Sequence, residues 1–476
     1  MQCFKTTLKE NSGRLDCDYY KPEYVELENK VNCLTKLTLK DFVKYIAGGA
    51  TPDIDKESEY YTQNKDEGIP FIRVQNLSEE GLIFDSMKYI KPIVHEKMLK
   101  RSQVHAGDLI TKITGVGRMA ISSMAPDGFE GNINQHSVII KTENKDISEY
   151  LAIYLNLDFV EKLASRRTTG GTRPALDYAS LQTIPVIYKP DIVPIIKKAI
   201  ALKKEKEENA IDIINSIENI ILDCLDIKNY SSSDKKAFSI KCKDVQNKRL
   251  DVYGYQLTPR TVINAIKQSR YGKTITPLNS LILENFAGDW GKDIEKDLND
   301  NYSICNVIRN KNFNNVYNID YEDIAQRKIL NTKKEKILLK KGDILIEKSG
   351  GSPQQPVGRV AYIDKDIDNY VFSNFLQCIR INSELCDPEY LFIYLRTIYK
   401  LNYMKYIQSQ TTGIINLLMD DFLNIPIIIL KDKDAQREIV DKYNEMHNKA
   451  KQLQEEAKDE FKKTKVEVEK MILGEE

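Results

Sequence analysis

The 476 residues include only four histidines, one tryptophan and eight scattered cysteines, so imidazole and thiol groups for metal binding or nucleophilic chemistry are few. Cys3, Cys17, Cys33, Cys224, Cys242, Cys305, Cys378 and Cys386 form no C-x-x-C pair and have no histidine at ligand spacing. That pattern argues against a zinc site or a disulfide framework and for reduced, mostly buried thiols. His95, His105, His136 and His447 belong to no carboxylate or cysteine arrangement that repeats along the chain, so a nucleophile–base pair has no candidate. No run of about 18 apolar residues occurs, so nothing reads as a membrane span. The opening MQCFKTTLKENSGRLD is too polar for the centre of a secretory signal, and a cytoplasmic protein is expected. Net charge is missing as well, with 70 Lys+Arg against 70 Asp+Glu. Phosphate contacts normally need a basic surface. A nucleic-acid partner therefore requires charge segregated by face, or cations supplied by other subunits.

Formal motif matches fail on context. Gly115-Val116-Gly117-Arg118-Met119-Ala120 satisfies G-x-G-x-x-[G/A], but the following MAISSMAPDG reads as strand and turn, where a dinucleotide site needs a helix N-terminus. Gly272-Lys273-Thr274 lacks the first glycine of a phosphate-binding loop, Lys267 standing in its place. The Asn/Asp-Pro-Pro-aromatic signature of amino-methyltransferases is absent, and nuclease-like Asp/Glu/Lys combinations occur only inside Lys/Glu-rich helices. No catalytic residue and no metal site are expected.

What is present is a duplication. Arg14-Leu15-Asp16 returns as Arg249-Leu250-Asp251, and Gly107-Asp108-Leu109-Ile110 as Gly342-Asp343-Ile344-Leu345, both displaced by 235 residues (249 − 14; 342 − 107). Val116-Gly117-Arg118 is answered by Val357-Gly358-Arg359, EYLAIYL (149–155) by EYLFIYL (389–395), Thr168-Thr169-Gly170 by Thr411-Thr412-Gly413, and Ile184-Pro185 by Ile425-Pro426. Each copy reads as a β-rich body with short apolar strands such as GIPFIRVQN (68–76) and KGDILIEKSG (341–350), a short helix, a closing Ile-Pro strand and then a long helix. In the first long helix Ala210, Ile213, Ile214, Ile217, Ile220, Ile221 and Cys224 recur at helical spacing. In the second, Ile439, Tyr443, Met446, Ala450, Leu453, Ala457, Phe461, Val468 and Met471 step by threes and fours, with polar Thr464 interposed. These are coiled-coil seams. The alternating-sign run KKEKEE (203–208) reads as a solvated helix face.

The expected fold class is α+β. Residues 1–35 form an N-terminal segment, 36–190 a first β-rich domain, 191–228 a central spacer helix, 229–431 a linker and second domain, and 432–476 a C-terminal spacer helix. The two long helices are expected to pair antiparallel. A helix of about 34 residues is about 50 Å long, enough to set two half-sites about one DNA turn, roughly 34 Å, apart.

The strand-connecting loops hold donors and acceptors suited to DNA. Copy one offers Arg73, Gln75, Asn76, Lys112, Thr114, Arg118, Asn134, Gln135, His136, Arg166, Arg167 and Arg173. Copy two offers Arg309, Asn310, Lys348, Ser349, Gln354, Gln355, Arg359, Asn374, Gln408, Gln410 and Thr411. Arg suits guanine, Asn and Gln suit adenine, and Lys, Ser and Thr suit phosphates. The loops diverge where the frame does not, as in Asn134-Gln135-His136 against Asn374-Phe375-Leu376.

Together RLDCDYYKPEY and RLDVYGYQLTPR, the GDLI and GDIL strands, RTTGGTRPAL and SQTTGIINLL, and the two long helices resemble the specificity subunit of type I restriction–modification systems over nearly the whole chain. The resemblance implies two target recognition domains held apart by an antiparallel coiled coil, each reading half of a bipartite, asymmetric double-stranded DNA site. It implies two methyltransferase subunits as partners, carrying the S-adenosylmethionine and the chemistry, and an endonuclease/translocase subunit. This chain itself needs no cofactor on that reading. The alternative is a free-standing coiled-coil DNA-binding or scaffold protein of a phage-defence system.

Overall fold

In the computed structural model residues 16–230, 237–245, 255–295, 301–313, 319–352, 355–410 and 413–475 are described. The chain divides into two compact units, Met1–Glu207 with Glu455–Glu476, and Glu208–Gln454. The boundary falls inside both long helices, where the sequence placed whole helices between domains.

Unit 1 is built on two sheets. Strands β1 (Tyr45–Gly48), β2 (Tyr61–Thr62), β3 (Ile69–Ile72), β4 (Lys88–Ile90), β5 (Gln103–His105), β6 (Leu109–Lys112), β7 (Ser122–Met124), β8 (Glu130–Ile133) and β9 (Ser137–Lys141) pair in the orders β1-β9-β6-β7 and β2-β4-β3-β8-β5. One pair, β3 with β8, is parallel, with Ile72 opposite Ile133. Helix α1 (Lys145–Tyr154) starts at Asn144, whose side chain accepts from Ile147 N–H. A second helix, Asp158–Arg166, follows it, so the sequence's single short helix is two.

Unit 2 repeats the plan. Strands β10 (Ile282–Ala287), β11 (Tyr302–Ile308), β12 (Ala325–Leu330), β13 (Ile344–Glu347), β14 (Ser349–Gly350), β15 (Val360–Tyr362), β16 (Tyr370–Phe372), β17 (Leu376–Ile381), β18 (Gln408–Gln410) and β19 (Ile415–Leu417) include the orders β10-β17-β13-β15 and β12-β11-β16. The first matches β1-β9-β6-β7 strand for strand. In the second, β11 pairs parallel with β16, as β3 does with β8. Helix α3 (Pro388–Lys400) opens with Pro388 in its first turn and Asp387 as cap, its carboxylate accepting from the Glu389 and Tyr390 N–H groups.

The repeated motifs have physical reasons. In Gly-Asp, Gly107 and Gly342 adopt φ +85° and +93°, the left-handed region that favours glycine. The carboxylates of Asp108 and Asp343 then accept from the N–H three residues back, His105 at 2.9 Å and Lys340 at 2.8 Å, closing the turn into the buried strand. In EYLxIYL the tyrosines tie the helix to the Ile-Pro segment. Tyr154 donates to Pro185 O at 3.0 Å, Tyr394 to Pro426 O at 2.9 Å and Tyr390 to Ile428 O at 2.8 Å, while Tyr150 donates to Ile187 O. In unit 2 that segment is a strand paired with Ile275–Pro277. In unit 1 it makes only a bridge between Thr38 and Pro185, so the expected closing strand shrinks to one pair.

Helices α2 (Ile192–Cys224) and α4 (Lys433–Leu473) contribute to each unit. Pro194 is tolerated because the first turn has no intrahelical acceptor to lose. Within unit 1, Lys206 pairs with Glu456 at 3.2 Å and Glu460 at 2.7 Å, and Lys189 Nζ reaches Met471 O at 2.7 Å, an antiparallel sense. Lys203 is mostly covered and pairs with Glu80 and Glu207, so the run expected to be a solvated face makes tertiary ion pairs. Within unit 2, Ala210 and Ile214 pack with Ala450, and Ile217, Ile221 and Leu225 share a core with Ile439 and Tyr443. Met471 is exposed and Ile472 takes its expected place in the seam. Among the described residues no helix is long and apolar enough to cross a membrane.

Candidate nucleic-acid interface

The loops expected to meet DNA are built on a turn that recurs. Strand β3 runs into Arg73-Val74-Gln75-Asn76, and β11 into Arg309-Asn310-Lys311-Asn312, a displacement of 236 residues (309 − 73; 312 − 76). Asn76 Oδ1 accepts from Arg73 N–H at 3.0 Å, and Asn312 Oδ1 from Arg309 N–H at 2.9 Å. The asparagine amides donate onward to Ile83 O at 3.0 Å and Asp323 O at 2.9 Å. The guanidinium groups grip the same excursions, Arg73 at Ser86 O (2.6 Å) and Arg309 at Asp323 O (3.0 Å). The outer residues of this R-x-x-N turn hold its shape, and the inner pair can diverge. Gln75 and Lys311 are exposed and Asn310 is half-buried.

The Val-Gly-Arg loops also tie inward, with different strength. Arg359 is buried, its Nε 2.7 Å from Glu347 Oε2 and its Nη2 3.1 Å from Glu347 Oε1, with further contacts to the Phe313 and Asn310 carbonyls. Arg118 is half-buried, pairing with Asp158 at 2.6 Å and donating to Asn156 O. Lys112 is buried and donates to Val116 O at 2.8 Å and Arg118 O at 2.9 Å, and Lys348 reaches Gln377 Oε1 at 3.3 Å. Burial pushes both ammonium groups below the usual lysine range.

Beside these loops each unit has a short hairpin. In unit 1 Thr169 and Ala175 exchange backbone hydrogen bonds at 2.8 Å, and Leu176 N–H reaches Ile113 O. In unit 2 β18 pairs with β19 and β19 with β14, where Ser349 Oγ donates to Asn416 at 2.7 Å. Arg166 lies over Tyr19 and, like Arg167, pairs with Glu28, so this arginine pair anchors helix Pro22–Leu34 within unit 1.

The candidate residues thus separate by environment. Asn76, Lys112, Asn134, Arg167 and Arg359 are buried, and each is engaged inside its own unit. Arg73, Thr114, Arg118, His136, Arg166, Arg309, Asn310, Lys348, Ser349 and Gln408 are half-buried. Gln75, Gln135, Arg173, Gln355 and Asn374 are exposed. Gln354 and Thr411 lie outside the described residues, as does the side chain of Gln410. Trp290, Lys311, Ser373 and Phe375 were missed by the sequence reading, although with Arg309, Asn310, Gly350 and Asn374 they line a pocket of about 600 Å³ in unit 2. The one available signal was that Trp290 is the chain's sole tryptophan.

Residues 289–462 match the family model for the type I restriction modification DNA specificity domain. The matched segment holds the R-x-x-N turn, the Arg359 loop and helix α3 of unit 2. A curated relative, the type I restriction enzyme HindI specificity subunit of Haemophilus influenzae, is 29% identical over 148 residues. That match covers 29% of this chain and spans 31% of the subunit's length. Among solved structures, a chain from work on assembly and conformational transition of the type I R-M system is similar at 13% identity, with 92% and 96% of the two chains covered and a TM-score of 0.46. The HsdS subunit from Thermoanaerobacter tengcongensis is similar at 13% identity, covering 92% and 95%, with a TM-score of 0.33.

Proposed function

We propose that this chain is the DNA sequence-recognition subunit of a type I restriction–modification complex and contributes no catalytic residue of its own. Its two units read the halves of a bipartite, asymmetric site. Methyltransferase subunits carrying S-adenosylmethionine supply methyl transfer, and an endonuclease/translocase subunit supplies cleavage. The observation that carries this reading is one frame used twice with different contents. Equivalent sheets end in the same R-x-x-N turn, while the inner residues are Val74-Gln75 in one and Asn310-Lys311 in the other. A shared scaffold with divergent, outward loops suits two readers of different base sequences, because base edges are distinguished by the side chains presented and the scaffold fixes only register.

Neutral net charge fits this division of labour if partner subunits supply part of the phosphate neutralisation. The test is to map methylated adenines across the genome with and without this gene, its methyltransferase partner present in both. A bipartite motif whose methylation vanishes with the gene supports the reading. Methylation that persists unchanged overturns it.

A further inference from the structure

The pocket in unit 2 combines two buried, unsatisfied polar groups with aromatic walls. Asn310 donates its Nδ2 to Glu347 Oε1 at 2.9 Å and to Ser349 O at 2.6 Å. Glu347 is itself gripped by Arg359, so the amide cannot turn over without breaking both bonds. Gly350 makes room for this: at φ +120° a Cβ there would stand 2.8 Å from Asn310 Nδ2. The amide oxygen is left pointing elsewhere, and among the described residues Asn310 Oδ1 meets no hydrogen-bond partner. Ser373, only 2% exposed, also has no partner for its Oγ among the described residues. A buried polar group without a partner costs about 1–3 kcal/mol. Two of them lining one pocket point to a ligand that satisfies them.

Charge and shape narrow the ligand. The cations at the rim are already matched, Arg309 and Lys311 by Asp323 and Arg327 by Asp293, so a phosphate would gain little there. Trp290 is flanked by Arg309 and Arg327, whose guanidinium carbons lie 5.7 and 4.5 Å from its ring. Phe375 is 40% exposed in the loop between β16 and β17. What remains is a neutral acceptor, a hydroxyl and aromatic surface, which suit a flat, uncharged heterocycle carrying an amino group.

We propose that this pocket is a specificity-determining subsite of unit 2 that takes adenine at the major-groove edge of the DNA site, the free N6–H donating to Asn310 Oδ1 and N7 facing Ser373 Oγ. The proposal rests on the recognition function above and names its contact residues. Asn310 presents only its acceptor, so it cannot form the bidentate contact to adenine in which asparagine also donates to N7. Ser373 Oγ–H supplies that second hydrogen bond by donating to N7, and Phe375 packs against the base.

The test uses the full chain co-expressed with its methyltransferase partner, with variants Ser373→Ala, Phe375→Ala and Asn310→Ala. Ser373→Ala removes an unsatisfied hydroxyl, so the melting temperature is unchanged or raised. Yet the methylated motif should relax at one position of one half, discrimination there falling about tenfold. Phe375→Ala and Asn310→Ala relax that same position, whereas a folding defect would weaken all positions alike. In vitro, wild-type complex should lose about tenfold in affinity when that base is replaced by an analogue lacking the amino group, and Asn310→Ala complex should lose nothing further. An unchanged motif in Ser373→Ala and Asn310→Ala, or full wild-type affinity for the analogue, overturns the subsite while the recognition function stands. A wild-type complex that methylates no motif overturns both.

Discussion

Arg118 and Arg359 occupy the same place in the duplicated Val-Gly-Arg motif, yet their removal should have very different consequences. Arg359→Ala would leave the Glu347 carboxylate, 3% exposed, buried without its cation. It would also strip a donor from the Phe313 and Asn310 carbonyls. Breaking a buried ion pair from one side costs about 3–5 kcal/mol. For a unit of this size each kcal/mol moves the unfolding midpoint by about 2–4 °C, so a drop of about 6–20 °C is expected by scanning calorimetry of the full chain. The double variant Glu347→Leu/Arg359→Met removes both charges and should recover at least half of that loss. Arg118→Ala breaks a pair whose aspartate is 53% exposed and should cost at most about 1 kcal/mol. Below the variant's midpoint the methylated motif should keep its sequence if the buried Arg359 serves only to hold the loop through Glu347. A fall of less than 1 kcal/mol in Arg359→Ala, or a double variant no more stable than the single, refutes the reasoning.

Three further outcomes are expected. Asp177 caps the helix Tyr178–Gln182, and its hydrogen bonds from the Ser180 side chain and backbone hold its carboxyl below the usual range. Its contribution is complete above an unfolded value of about 3.9 and is lost as pH falls through the lower folded value. Asp177→Asn should therefore lose stability less steeply than wild type between about pH 5 and 3, and Asp177→Ala should cost about 1 kcal/mol at neutral pH, both read from thermal melts. Native-state alkylation followed by mass spectrometry should label exposed Cys17, Cys33 and Cys242 quickly. Cys305, Cys378 and Cys386 should react only after denaturation, because burial raises their thiol pKa values, that of Cys386 to about 12. One heptad inserted into α2 adds about 10 Å of helix and should lengthen the unread spacer of the methylated motif, which methylome sequencing would detect; an unchanged spacer refutes the role of helix length.

Much of the frame was legible because its signals are local. A repeated Gly-Asp pair, tyrosines four residues apart on a helix and an Ile-Pro segment are read directly from the chain, and each proved to be part of a hydrogen-bonded device used twice. The contact residues were less legible. Asn76, Lys112, Arg167 and Arg359 look like ideal DNA contacts as side chains, and the fold engages each of them internally. Whether an arginine faces a ligand or a glutamate depends on what lies across the sheet, as Glu347 lies across from Arg359. Residue type alone carries no such information.

The sequence by itself determined the duplication, the α+β class, the long apolar-striped helices and the scarcity of histidine and cysteine, because all of these are periodic or compositional. Only the tertiary structure decided where each unit ends within those helices, which polar side chains build turns, and that Asn310 and Ser373 keep unmet hydrogen-bonding capacity in a pocket with Trp290 and Phe375. Those facts depend on residues brought together from distant parts of the chain, and burial and pairing are properties of that packing.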